Sequence, residues 1–238
     1  NLRDLKCLEI RFCWNLTSIS LISFHQLVSL ESLTISGCTK LFSSDVVSAH
    51  THEDMIAADY IALPCLEILR IFSCGITGKW LSLMLQHAPV VKELMLKDCK
   101  KLTQLWIEEE ENAQLNLNQA SEASSSGYQN DLSASSAQDG LWCVPLNVTT
   151  SLKKITISGC PHLIFDGSRE DCQENDRCLL PQSLEQFVWS QCSRKTLRPC
   201  FVGNLTCLKK LVIGSRSLEC LQLNSCVALE CLKIRFCE

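Results

Sequence analysis

Cysteine and histidine are the residues of this 238-residue chain whose types could do chemistry, and seventeen of its residues are cysteine. Thiolates and imidazoles hold zinc, and structural zinc sites show close pairs of the Cys-x-x-Cys kind. No such pair occurs. Cys7/Cys13, Cys220/Cys226 and Cys231/Cys237 are instead spaced by six. His50-Thr51-His52-Glu53-Asp54 is the densest run of ligand types, and it reads as a solvated helix start. Cys172 and Cys178 could form a redox pair but read as thiols of a loop. Gly78-Lys79 is followed by Trp80 and lacks the first glycine of a phosphate loop. No Gly-x-Ser-x-Gly elbow is present. These patterns give no catalytic constellation, no metal site and no cofactor within the chain.

The elements that position the cysteines carry a recurring motif, Leu-x-x-Leu-x-Ile-x-x-Cys. Leu5-Leu8-Ile10-Cys13, Leu30-Leu33-Ile35-Cys38 and Leu66-Leu69-Ile71-Cys74 match throughout. Leu152-Ile155-Ile157-Cys160 and Leu229-Leu232-Ile234-Cys237 follow with conservative swaps. Val91-Leu94-Leu96-Cys99 and Leu184-Phe187-Trp189-Cys192 are looser, and Leu208-Leu211-Ile213 has Arg216 in the cysteine place. With the first leucine as position 1, positions 4 and 6 alternate with 3, 5 and 7, which is the period of a strand. Positions 1, 4 and 6 then stack on their equivalents in the next unit. Cysteine at position 9 is small enough to tuck inward and can offer a weak S–H donor to a turn carbonyl. In each pair spaced by six, one cysteine sits at position 3 and points out while the other sits at 9 and points in, so they do not converge on a metal.

This is the leucine-rich-repeat signature. The expected fold is an α/β solenoid, a leucine-rich-repeat horseshoe with a short-stranded parallel concave sheet, an irregular convex side and long insertions. Unit starts at 5, 30, 66, 91, 152, 184, 208 and 229 give steps of 25, 36, 25, 61, 32, 24 and 21. Residues 1–102 hold four units, 103–151 a long insertion, and 152–238 the last four. A smaller insertion spans 42–63, with a candidate helix from Asp54 to Ala62; another spans Asp166 to Arg177. The long insertion has seven acids, including Glu108 to Glu111, and neither Lys nor Arg. The chain totals −4, so the remainder is +3. Low hydrophobicity with one-signed charge predicts disorder over 108–140, with Trp142 to Leu146 rejoining the scaffold. No run of eighteen apolar residues is present, so no membrane span is expected. Neither end reads as a polar capping repeat, so the chain reads as a piece of a longer protein. Cysteines in the turn slot instead of end-cap disulfides favour a reduced, cytoplasmic setting; Asn15, Asn147 and Asn204 then begin Asn-x-Thr matches by chance.

A further copy, Leu218-Leu221-Leu223-Cys226, crowds the C-terminus. A parallel connection needs about a dozen residues, so strands around 211–213 and 232–234 should be neighbours. Leu218 to Leu223 would be a return segment, and the array would hold eight units.

What remains for function is a surface. Positions 3, 5, 7 and 8 place Glu9, Arg11, Phe12, Arg70, Phe72, Glu93, Met95, Lys97, Asp98, Lys154, Gln186, Lys210, Lys233, Arg235 and Phe236 on the concave face. Seven are basic and three acidic. Aromatics beside arginines suit a protein interface, so the chain reads as a binding module for protein, not for nucleic acid, and not as an enzyme.

The residues Leu-Glu-Ser-Leu-Thr-Ile-Ser-Gly-Cys-Thr-Lys-Leu at 30–41 and Leu-Lys-Lys-Ile-Thr-Ile-Ser-Gly-Cys-Pro-His-Leu at 152–163 carry a narrower likeness, joined by Gly203-Asn204-Leu205-Thr206-Cys207-Leu208-Lys209-Lys210-Leu211. With the irregular steps and acidic insertions, they make the chain resemble the C-terminal leucine-rich-repeat domain of plant intracellular immune receptors, the coiled-coil nucleotide-binding (NB-ARC) disease resistance proteins. The resemblance implies a parent protein with an upstream ADP/ATP-binding switch and a role in defence. It also implies a partner that is a pathogen effector, a guarded host protein or another domain of the same receptor. The substrate-recognition array of an F-box ubiquitin-ligase adaptor is the alternative; such arrays are more regular, near 26 residues per unit.

Overall fold

The computed structural model describes residues 2–17, 19, 24, 26–41, 63–107, 141–165, 180–192, 205–214, 221, 223 and 225–235. Along the chain these form β1 (Cys7–Arg11), β2 (Ser32–Ser36), β3 (Ile68–Phe72), helix α1 (Gly78–Gln86), β4 (Glu93–Lys97), β5 (Gln104–Ile107) and β6 (Leu141–Val144). Helix α2 (Leu146–Thr149), β7 (Lys154–Ser158), β8 (Ile164–Phe165), β9 (Gln186–Ser190), β10 (Lys210–Gly214) and β11 (Cys231–Arg235) complete the order.

Eight strands make one open parallel sheet in the order β1-β2-β3-β4-β7-β9-β10-β11. Each pair is in register on the motif: Leu8 stands opposite Leu33, Leu33 opposite Leu69, and so on to Leu211 opposite Leu232. Period two sends positions 4 and 6 to one face. There Leu33, Ile35, Leu69, Ile71, Leu94, Leu96, Ile155, Ile157, Phe187, Leu211 and Ile213 are fully buried, with position-1 residues such as Leu30, Leu66 and Leu152 beneath them. An open parallel sheet with few helices is compatible with a solenoid-like repeat. At the outermost strands the same positions lose a neighbour on one side. Leu8 and Ile10 are half-buried, and Leu232 and Ile234 are exposed.

Two backbone patterns lock the register. The position-2 carbonyl of each unit accepts two N–H groups from the next, as Lys6 O does from Glu31 and Ser32, and Lys92 O from Lys153 and Lys154. At position 8 the chain turns through left-handed backbone: Phe12, Gly37, Ser73, Asp98, Gly159 and Gln191 have φ between 51° and 66°. Each donates its N–H to the position-7 carbonyl of the next strand, Phe12 to Ser36 at 2.8 Å and Asp98 to Ser158 at 2.9 Å. Glycine fits this conformation without strain, and at 37 and 159 it is also needed for room. A Cβ on Gly37 would run into the Phe12 ring, and one on Gly159 into the Asp98 carboxylate.

A second parallel sheet has the order β6-β5-β8, and α1 packs against β6 and α2. Thr77 caps α1, its Oγ1 accepting from Trp80 N–H at 3.3 Å. Trp80, Leu81, Met84 and Leu85 are the buried stripe of that helix, at the i, i+3, i+4 spacing of one face.

Within the 103–151 stretch, β5 lies at one end and β6 and α2 at the other. The disorder expected over 108–140, the helix expected at Asp54 to Ala62, the His50–Asp54 run, the Asp166 to Arg177 insertion with Cys172, and Cys178 lie outside the described residues. The C-terminal strand pairing is the one expected. β10 pairs with β11, Leu211 opposite Leu232 and Ile213 opposite Ile234, while Leu221 and Leu223 pack half-buried against the core.

Candidate functional site

Two groupings could carry chemistry, the turn thiols and the outward face of the large sheet. The position-9 thiols run as a row across the units. Each faces the position-7 carbonyl of its own unit: Cys38 at 3.4 Å from Ser36 O, Cys74 at 3.1 Å from Phe72 O, Cys192 at 3.3 Å from Ser190 O. A second, longer contact reaches the preceding unit, Cys38 to Ile10 O at 3.9 Å and Cys74 to Ile35 O at 3.7 Å. The inward slot is thus shared between neighbours. Cys38, Cys74, Cys99 and Cys160 are buried and Cys192 is half-buried, but Cys13 is exposed. That departs from the expectation of a buried slot at every unit: Cys13 follows the outermost strand of the described sheet, where no described strand closes the slot. Cys237 lies outside the described residues.

Burial pushes the Cys38 thiol up and the Cys74 thiol to about 11. Cys99 and Cys192 are raised by their bonds to Cys160 and by burial, and hydrogen bonds from Cys192 and Cys99 lower Cys160 in return. Cys160 is nevertheless sealed from solvent, so no attacking thiolate is presented. Among the described residues no three of His, Cys, Asp and Glu are placed to hold a metal ion.

The outward face carries three rows in register. Position 3 runs Cys7, Ser32, Ile68, Glu93, Lys154, Gln186, Lys210, Cys231; position 5 runs Glu9, Thr34, Arg70, Met95, Thr156, Val188, Val212, Lys233; position 7 runs Arg11, Ser36, Phe72, Lys97, Ser158, Ser190, Gly214, Arg235. At its centre Glu93 accepts from Arg70 Nη2 at 2.9 Å and from Lys154 Nζ at 3.1 Å. Desolvation alone would raise the Glu93 carboxyl, but the bonds from Lys154 and Arg70 outweigh it and hold the group below the usual carboxylate range. Arg11 pairs with Glu9 at 2.8 Å. Arg70, Lys154 and Arg11 are therefore already engaged, and the basic excess read from the sequence is partly neutralised within the face.

Lys97, Lys233 and Arg235 are exposed, and Gln186 and Lys210 are half-buried. Phe12 is exposed and stacks with Trp14, ring centroids 5.8 Å apart. Phe72 is only half-buried, a smaller platform than the sequence suggested, and Phe236 lies outside the described residues. Trp14 was not on the expected face. The turn after position 9 brings it beside Phe12, a juxtaposition that strand periodicity does not encode.

A fourth row was missed altogether. Position 2 precedes each strand and runs Lys6, Glu31, Glu67, Lys92, Lys153, Glu185, Lys209, Glu230 along one edge. Lys6 pairs with Glu31 at 2.8 Å, Lys92 with Glu67 at 2.6 Å, and Glu185 with both Lys153 at 3.1 Å and Lys209 at 2.9 Å. The sequence signal was available, as opposite charges at the same motif position of successive units, but reading each motif separately hides it.

No family model matches the chain, and no curated protein or solved structure matches it either. Among the described residues, no helix is long and apolar enough to cross a membrane.

Proposed function

We propose that this chain is a protein-recognition domain, a leucine-rich-repeat horseshoe whose concave face is the outward face of the eight-stranded sheet. The observation that carries the reading is the contrast between the faces. Position 4 and 6 residues facing the core are uniformly large and apolar, whereas the outward rows in the same register differ at nearly every strand. Packing dictates the first set and leaves the second available for specificity. By its resemblance to NB-ARC disease resistance proteins, the parent is an intracellular plant immune receptor. In that setting the face senses an effector or a guarded host protein, or holds the receptor inactive through one of its own domains. Nucleotide chemistry would belong to the upstream domain, and this chain needs no cofactor of its own.

A photo-reactive benzoylphenylalanine placed in the parent protein at Thr156 or Val188 on this face, and at Ser82 on α1, tests the reading. Cross-links to one defined polypeptide from the sheet positions, with none from Ser82, are expected. Equal yield from both sides would overturn the assignment of the face. The sequence upstream of Asn1 tests the parent: a phosphate loop fits the receptor, an F-box replaces it with the ligase adaptor.

A further inference from the structure

We infer that copies of this chain join head to tail, β11 of one lying parallel to β1 of the next and continuing the eight-stranded sheet; this does not rest on the recognition reading above. β1 and β11 are the outermost strands. In the six units between them, the residues at positions 1, 4 and 6 are buried. At the two ends they are not. Leu5, Leu8, Ile10 and Leu229 are half-buried, and Leu232 and Ile234 are 43% and 47% exposed. Stacking the last unit on the first buries both sets with the packing that the interior units already use.

The two edges also match in charge. The position-2 row begins at Lys6 on one edge and ends at Glu230, which is exposed, on the other. Within the row, Glu185 lies between Lys153 at 3.1 Å and Lys209 at 2.9 Å. In the joined array Glu230 lies between Lys209 and Lys6 of the next copy in the same way. At position 5, Lys233 stands beside Glu9 of the next copy. Glu9 already holds Arg11 at 2.8 Å, so it then lies between two cations, as Glu93 lies between Arg70 and Lys154. That carboxylate offsets the approach of Arg235 to Arg11 at position 7. The backbone continues too: the Glu230 carbonyl takes the Lys6 and Cys7 N–H groups, as the Lys209 carbonyl takes those of Glu230 and Cys231.

A two-fold contact of β1 with β1 would run antiparallel. It would send the two position-2 ends to opposite sides of the sheet, interrupt the carbonyl pattern and leave Glu230 without Lys6. The head-to-tail contact uses two different edges, so every joined pair keeps one of each free and the array grows. Its register has a chemical marker. Within the chain Lys210 stands opposite Cys231, and the next strand in that register places Cys7 opposite Cys231. Cys7 is exposed and Cys231 half-buried. Neighbouring strands lie about 4.8 Å apart, within reach of a short thiol-bridging reagent.

The test uses the full chain. Light scattering over a concentration series is expected to show the mass rising past two chains. A short bis-maleimide is expected to join Cys7 to Cys231 of a different chain, read by peptide mapping. Glu230→Lys with Lys233→Glu reverses one edge, and Lys6→Glu with Glu9→Lys reverses the other. Each double variant alone should associate at least about tenfold more weakly, and an equimolar mixture of the two should recover, because each reversed edge then meets its complement. The variants are compared at an unchanged thermal midpoint. If either fails to fold, Glu230→Gln with Lys233→Gln decides by its weakening alone. A mass that stays at one chain throughout would overturn the inference. Cys7–Cys7 or Cys231–Cys231 bridges in place of Cys7–Cys231 would replace the head-to-tail contact with a two-fold one. Association unmoved by the reversals would overturn its placement on these edges.

Discussion

Cys38, Cys74, Cys99 and Cys192 each sit between a carbonyl of their own unit and one of the unit before, so substitution probes the slot one residue at a time. Cys38→Ser keeps a donor but loses a polarisable apolar group in a fully buried site. A destabilisation on the order of 1–3 kcal/mol is expected, against almost none for Cys7→Ser, whose side chain is exposed. Native-state labelling by a thiol reagent checks the same point, and equal rates at Cys7 and Cys38 would refute it. Gly159→Ala is a second residue-scale test. It forces a Cβ into left-handed backbone and against the Asp98 carboxylate. The left-handed conformation alone costs roughly 1–2 kcal/mol, so a loss of at least that size in denaturant unfolding is expected. An additional Asp98→Ala substitution should recover the clash part only. The motif made the cysteine slot legible, since small inward residues recur at a fixed offset. It could not show that Cys13 is exposed, because the slot is closed by the preceding strand and not by the residue's own unit.

At the scale of elements, strand positions, their parallel pairing and the C-terminal register were legible because period two and the repeat offset agree over eight units. The short β5, β6 and β8 were not, since four residues or fewer carry no periodicity to count. Helix α1 was missed for another reason. Thr77 followed by Leu81, Met84 and Leu85 is a capped amphipathic pattern, but Gly78, a poor helix former, stands in its first turn and masks it. The candidate face was read as an array of separate charges, whereas adjacent strands join Arg70, Glu93 and Lys154 into one network. That network makes a pH prediction. The Glu93 carboxyl is lowered in the folded chain, so its contribution is fully present above the unfolded value, about 4.3 for glutamate, and is lost as pH falls through the folded value. Glu93→Gln is expected to cost ~1–2 kcal/mol at pH 7, and the difference from the parent chain should shrink below about pH 4. A difference independent of pH in denaturant titrations would mean that the ion pairs contribute nothing beyond shape.

For the whole molecule, a sheet that grows by one unit at a time tolerates long excursions between units, because each unit touches only its neighbours. The pairing of β5 with β6 shows this locally: Gln104 stands opposite Leu141 and Ile107 opposite Val144, although 33 residues, 108–140, separate the two strands in sequence. That span is acidic and polar, with no cation to pair its glutamates internally, so it offers the core little to bury. Loop-closure entropy changes slowly with length, and shortening the connection from 33 residues to 13 by deleting 115–134 gains less than ~1 kcal/mol. Thirteen residues still exceed the dozen or so that a parallel crossover requires. For a chain of this size such a gain corresponds to about 2–4 °C. Calorimetry on the deletion variant is therefore expected to give a midpoint unchanged or raised within that range. A fall of several degrees would mean that 115–134 contributes packing that its composition does not suggest. Cutting the connection below about ten residues should strip β6 from β5 while leaving the eight-stranded sheet in place, since β4 is bonded directly to β7 and does not depend on the second sheet for its register.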